Sequence, residues 1–127
     1  YFEQADGPFT PESVNPIVSA MLARSSPPTA AIAWNDNLAM VLVQQLFRRG
    51  KQIPRDFSIL GCGNMDLDTA AQPPITSIEQ NPDLAGRTAV RLLLQRIAAG
   101  WSPDTYQPVT QAIPFHIVSR ESCGPPH

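Results

Sequence analysis

Thr29-Ala30-Ala31-Ile32-Ala33-Trp34, followed by Asn35-Asp36, is the stretch on which the fold turns. The six residues carry no charge, and Ser25-Ser26-Pro27-Pro28 bounds them with turn chemistry. A short run that is apolar at successive positions suits a strand covered on both faces, as in a parallel sheet. Asn35 or Asp36 then supplies a cap for a helix that continues to Arg49. Arg48 and Arg49 fall at the negative end of that helix, and Gly50 supplies the terminating residue.

Working outward from this strand and helix, the same alternation recurs. Ile53-Pro54-Arg55-Asp56 connects to a second strand, Phe57 to Cys62. Gly63 to Pro74 reads as a long loop with one or two helical turns at most, and Ile75-Thr76-Ser77-Ile78 as a short strand. Asn81-Pro82 is a cap-plus-proline helix start; the helix it opens carries Ala85, Ala89, Leu92, Leu93 and Ile97 and stops at Gly100. Gln111 to Val118 forms a last strand, with Pro114 placing it at an edge or a bulge, and Arg120 to His127 is a tail. On the N-terminal side, Val14, Ile17, Val18, Met21 and Leu22 make one apolar helical face. Thr10-Pro11 and Asn15-Pro16 are two candidate starts for that helix. The second is chemically cleaner, because a proline deep in a helix removes a hydrogen bond, although at least one turn before it is expected. Tyr1 to Gln4 reads as a short strand.

The predicted fold is therefore α/β, a mostly parallel sheet with helices on both faces and strands near residues 30–34, 57–61 and 75–78. Ligands of such sheets bind beyond the carboxyl ends of the strands. Three loops leave those ends, Asp6 to Thr10, Trp34 to Asn37 and Cys62 to Asp68, and would gather at one rim.

Composition narrows the function. The formal charge of -2 over 127 residues gives this chain no counterion-release drive toward nucleic acid. There is no apolar run long enough for a membrane span and no signal-peptide pattern at the start. The chain opens without methionine, in the manner of a fragment. Cys62 and Cys123 are too far apart for metal-ligand spacing or a redox pair, and read as one buried thiol and one tail thiol in a reducing, cytoplasmic setting. Asp66 and Asp68 read as a solvated loop, since a metal site needs more oxygen ligands at set spacing. His116, alternating with strand residues, reads as structural. No nucleophile-base set, cofactor motif or glycine-rich phosphate loop is present, so no cofactor and no enzymatic activity are expected.

Four stretches together carry a family resemblance: Pro28 to Asp36 with Leu38-Ala39-Met40; Ile53 to Gly61; Pro73-Pro74-Ile75-Thr76-Ser77-Ile78-Glu79-Gln80 with Gly86 and the helix through Leu94; and the closing Val118-Ser119-Arg120-Glu121-Ser122. In this order and spacing the chain resembles the LacI/GalR transcription regulators from residue 1 to about 122. The resemblance implies a periplasmic-binding-protein-like fold of two lobes with a small ligand between them, of which residues 1–122 form a partial, C-terminal lobe. It implies that residues from about 112 cross toward the other lobe, that 123–127 are a tail, and that a helix-turn-helix DNA head lies upstream.

Candidate ligand-binding residues follow. Asn35 ends a buried strand, and its carboxamide can donate and accept toward ligand hydroxyls; the resemblance places it in the cleft. Asp36 beside it shares the choice between capping the helix and meeting the ligand. Phe9 is either a stacking aromatic at the rim or a residue packed on the following helix. Gln80 points the same way as Ile78, and by resemblance lies near the hinge and cleft. Gly63 departs from the family, which usually carries an acid there; Asn64 or Asp66 is then left to reach in. Trp34 is a buried strand residue by default, with a place at the cleft edge as the alternative.

The helix after Asn35 is apolar on two stripes. One is Leu38, Val41, Leu42 and Leu46; the other includes Met40, Val43 and Phe47. One stripe suffices to pack on a sheet. The resemblance assigns the surplus to a twofold homodimer, with Leu38, Met40, Val43 and Phe47 at the interface. The expected function is the effector-sensing and dimerising part of a DNA-binding regulator, with a sugar or nucleoside-like effector. A periplasmic sugar-binding transport protein of the same fold is the alternative.

Overall fold

The computed structural model describes residues 8–100 and 107–125. The chain divides into two compact units, one of Tyr1–Glu79 with Ile117–His127 and one of Gln80–His116. The expected strand at Tyr1 to Gln4 lies outside the described residues.

The first unit opens with α1, Pro11–Leu22. It runs uninterrupted through Pro16, which corrects the expectation of a cleaner start at Asn15. The reason is the strength of the earlier start. Thr10 accepts the Ser13 N–H and Ser13 returns a hydroxyl oxygen to the Thr10 N–H, a reciprocal capping box. Pro16 forfeits one ladder bond on an exposed face, where the freed carbonyl is open to solvent.

β1 follows at Ala30–Ile32, then α2 at Asp36–Phe47, with Asn35 as its N-cap. The Asn35 side-chain oxygen accepts the Leu38 N–H at 2.9 Å. At the far end Arg49 donates to the Gln45 carbonyl at 2.8 Å, and reaches across to the Ser19 hydroxyl of α1, also at 2.8 Å. β2 is Ser58–Cys62, α3 the four residues Leu67–Ala70, and β3 Thr76–Glu79. β4, His116–Val118, is shorter than the 111–118 strand expected.

The four strands form one sheet in the order β1-β2-β3-β4. β1 pairs with β2 in parallel, Ala31 opposite Ile59, and β2 with β3 in parallel, Gly61 opposite Ser77. Val14, Val18 and Met21 of α1, and Ala39, Leu42, Val43 and Leu46 of α2, close over Ala33, Phe57, Ile59 and Ile75 to make the core. Ala30, Ile32 and Trp34, which alternate with residues of that core face, are exposed.

Arg120 to Gly124, read from sequence as part of a tail beginning at Arg120, are instead stitched into the sheet. The Ser122 hydroxyl donates to the Ile59 carbonyl at 2.6 Å and accepts the Thr76 N–H at 2.8 Å. The Ile59 N–H in turn donates to the Ser122 carbonyl, and the Gly124 N–H to the Ser58 hydroxyl. β2 and β3 pair only from Leu60 and Thr76 onward; Ser122 satisfies the backbone groups just before that ladder begins, at the end of the sheet away from the rim.

The second unit holds α4, Pro82–Ala98. Asn81 stands at its N-cap in a left-handed conformation and makes no side-chain cap bond; its carboxamide nitrogen donates to the Pro114 carbonyl. Thr88 is the buried residue of α4, whereas Leu93, Leu94 and Ile97 are exposed.

Candidate functional site

Parallel pairing puts the carboxyl ends of β1 and β2 side by side, so Asn35 at the end of one strand and Gly63-Asn64-Met65 at the end of the next share a rim. This is where a ligand of such a sheet sits. The rim residues differ sharply in what they have left to offer.

Asn35 is half-buried and has spent its carboxamide oxygen on the helix cap. Its amide nitrogen has no partner among the described residues, so the side chain presents N–H donors. Asp36 faces inward. It is fully buried, one oxygen accepting the Ser77 hydroxyl at 2.7 Å and the other the Met65 N–H at 3.1 Å. Held by two donors inside the protein, this carboxylate braces α2, β3 and the rim loop. Asn64 is likewise engaged on both atoms of its amide, donating to Glu79 and accepting from Arg120.

Gly63 adopts φ +128, a conformation that L side chains rarely adopt, and a Cβ there would stand 3.1 Å from an Asp36 oxygen. The loop is built around glycine, so the acid of the resembling family has no counterpart in this backbone. Phe9 is partly buried and packs against the core, which is the helix-packing alternative. Gln80 is exposed and is the first residue of the second unit. Trp34 is 82 % exposed, against the default expectation of a buried strand residue, because it alternates with the core-facing Ala33.

Sequence reasoning missed three groups beneath the rim. Asp68, expected in a solvated loop, is fully buried on α3. Arg120 donates to the Ile75 carbonyl at 2.6 Å and stands 3.8 Å from the Asp68 carboxylate. Ser77 holds Asp36. Nothing in spacing marks a loop aspartate as buried, since its burial depends on Arg120, 52 positions later. Both cysteines are free; Cys62 is half-buried and Cys123 exposed. Burial and the neighbouring Asp36 carboxylate push the Cys62 thiol up. Among the described residues, no group of three or more His, Cys, Asp or Glu could hold a metal ion.

A parallel sheet with a polar rim at the strand ends defines a class, that of α/β ligand-binding domains. The chain belongs to the periplasmic binding protein-like domain family, whose profile matches residues 4–123. Its relatives are LacI-type transcription regulators. The HTH-type transcriptional repressor PurR of Aliivibrio salmonicida is 36% identical over 92 residues, covering 72% of this chain and 28% of that protein. The HTH-type transcriptional regulator CelR of Thermobifida fusca is 30% identical over 116 residues, 91% of this chain and 33% of that protein. Among solved structures, a LacI family transcriptional regulator from Enterococcus faecalis V583 with bound ribose aligns with a TM-score of 0.76 at 30% identity, over 98% of this chain and 43% of that one. The chain thus spans less than half the length of each of these proteins. No helix among the described residues is long and apolar enough to cross a membrane.

Proposed function

We propose that this chain is the ligand-sensing and dimerising part of a LacI-type DNA-binding transcription regulator acting in the cytoplasm, and that its effector is a small polar molecule, a sugar or a nucleoside-like compound. The observation that carries the effector reading is Asn35: it stands at the carboxyl end of β1, its oxygen committed to the Leu38 N–H and its amide nitrogen open at the rim. Such a group recognises an acceptor on the ligand, a hydroxyl or ring oxygen. The bound ribose of the Enterococcus faecalis regulator supports a sugar. Among the described residues the rim groups that are not tied up inside the protein are binding groups, and the similar proteins are transcription regulators, which supports a site that binds. DNA contact falls to a helix-turn-helix upstream, since the charge of -2 gives this chain no affinity of its own. The relatives favour this reading over a sugar-binding transport protein.

Pairing of two chains through α2 accounts for its surplus apolar surface. Leu38 and Met40 are half-buried and Phe47 is exposed, whereas Val43 is taken up by the core of its own chain. The interface therefore rests on Leu38, Met40 and Phe47.

Asn35→Asp in the full-length regulator tests the effector role. Aspartate keeps the capping oxygen and removes the N–H donors. Effector dose-response should move to about tenfold higher concentration or more, the worth of a lost charged or polar partner at a binding site, with operator affinity kept. An unchanged dose-response refutes the role of Asn35.

A further inference from the structure

Asp36 and Asp68 are both fully buried. Asp36 enters from the first turn of α2 and Asp68 from α3. Donors reach both oxygens of Asp36, and none reaches either oxygen of Asp68. The guanidinium of Arg120 stands 3.8 Å from Asp68, beyond hydrogen-bond distance, and is committed to the Ile75 carbonyl and the Asn64 carboxamide. Met65 joins the two, its N–H donating to the Asp36 carboxylate at 3.1 Å and its carbonyl accepting the Asp68 N–H at 3.0 Å, and Asp36 is the neighbouring charge that acts on Asp68. Two ionised carboxylates so placed, away from water, repel; one proton between them turns repulsion into a hydrogen bond. Of the other groups packed here, the Cys62 thiol from β2 is pushed up and stays neutral, Ser77 from β3 is a hydroxyl, and Glu79 is one link removed through Asn64.

We propose that Asp36 and Asp68 hold one proton between them, and that this proton is a pH-sensitive latch fastening the Gly63–Ala70 segment to α2. With the proton in place, Asp36, Asp68 and Arg120 sum to zero charge and the orphaned Asp68 gains a partner. Without it the cluster carries a net negative charge out of water, and the segment bearing Asn64 and Met65 loosens from the start of α2. Burial first, and Asp36 second, push the Asp68 carboxyl up to about 6, with Arg120 pulling the other way. Its ordinary value is 3.8, so the folded chain binds this proton more tightly than the unfolded one. The stabilisation is complete below the ordinary value and is lost as pH rises through about 6. The latch does not depend on the effector reading, and neither does its test.

Carbon-detected NMR of the aspartate carboxyls in the unaltered chain reads the proton directly. The Asp68 carboxyl should titrate near pH 6, and the amide of Met65, which donates to Asp36, should follow with the same midpoint. Denaturant titrations between about pH 5 and pH 7.5 read the latch. The unfolding equilibrium constant should rise about tenfold or more across that range in the unaltered chain relative to Asp68→Asn, whose amide donates to Asp36 at every pH. Titration of Asp68 below pH 5 or so, in the ordinary aspartate range, overturns the proposal, as do parallel pH profiles for the two chains. Should Asp68→Asn fail to fold, the carboxyl titration decides alone.

Discussion

The hydroxyl of Ser77 donates to the Oδ1 of Asp36 across 2.7 Å, joining β3 to the first turn of α2 through residues 41 positions apart. The same hydroxyl accepts the Asn64 N–H at 3.0 Å, so one oxygen ties together a strand, a helix and the rim loop. Ser77→Ala removes both bonds and leaves a buried carboxylate short of a donor. It should cost about 1–3 kcal/mol, the penalty of an unsatisfied buried group. A shift of the urea midpoint at unchanged slope measures it.

Two glycines should respond to alanine in opposite ways. A Cβ at Gly61 would run into the Asp36 Oδ1 and stand 3.2 Å from an Ile75 methyl carbon. Neither neighbour can retreat, since Asp36 is bonded on both oxygens and Ile75 is fully buried. Gly61→Ala should destabilise by about 1–3 kcal/mol or more through overpacking. A Cβ at Gly86, in the second turn of α4, would meet nothing within 4 Å. Gly86→Ala should stabilise α4 by roughly 0.5–1 kcal/mol through helix propensity. Thermal melts of the two variants beside the parent chain are sufficient.

On α2, Val43 and Phe47 lie four apart and face different environments, 5 % and 43 % exposed. Val43→Glu should abolish the fold, as a charge buried without a partner does. Phe47→Glu should leave the far-UV spectrum intact and shift the full-length protein from dimer to monomer by light scattering, if α2 pairs two chains over an area on the order of 1,200 Å² or more. A Phe47→Glu protein that remains dimeric places the interface elsewhere.

Arg49, just past the end of α2, spans the α1–α2 contact, bonding Gln45 of α2 and Asn15 and Ser19 of α1. Its placement at the negative end of α2 was legible from sequence; its grip on α1 was not. Arg49→Ala should cost about 1–2 kcal/mol, a group of partly exposed, charge-assisted bonds, and Arg49→Lys should recover only part of that, because an ammonium lacks the fork that serves several acceptors at once.

The strands were readable because local pattern decides them: Ala30–Ile32, Ser58–Cys62 and Thr76–Glu79 all fall where apolar runs meet turn residues. The cap at Asn35 was readable for the same reason. Pro16 misled because helix-breaking is a local rule, and the stronger capping box lay one turn earlier. At the rim, pattern located Asn35 and left Asp36 undecided between cap and ligand. What turned Asp36 inward is its bonds to Ser77 and Met65, 41 and 29 positions away. Asp68 was misread as solvated because the cluster that buries it, with Arg120 far along the chain, leaves no periodic trace.

The stitch made by residues 120–124 bears on how the chain is born. Once β3 has left the ribosome every strand of the β1-β2-β3 ladder is free to pair, yet the Ile59 carbonyl and the Thr76 N–H still lack the hydroxyl that satisfies both. They must wait for Ser122, 46 positions after Thr76. Throughout that interval the nascent sheet presents open backbone at its lower end, which is a template for the wrong strand. Closure is therefore a late, post-emergence event. A message truncated before the codon for Ser122 should yield a product that chaperones retain and proteases clear, although the core helices α1 and α2 and the β1-β2-β3 ladder have been translated.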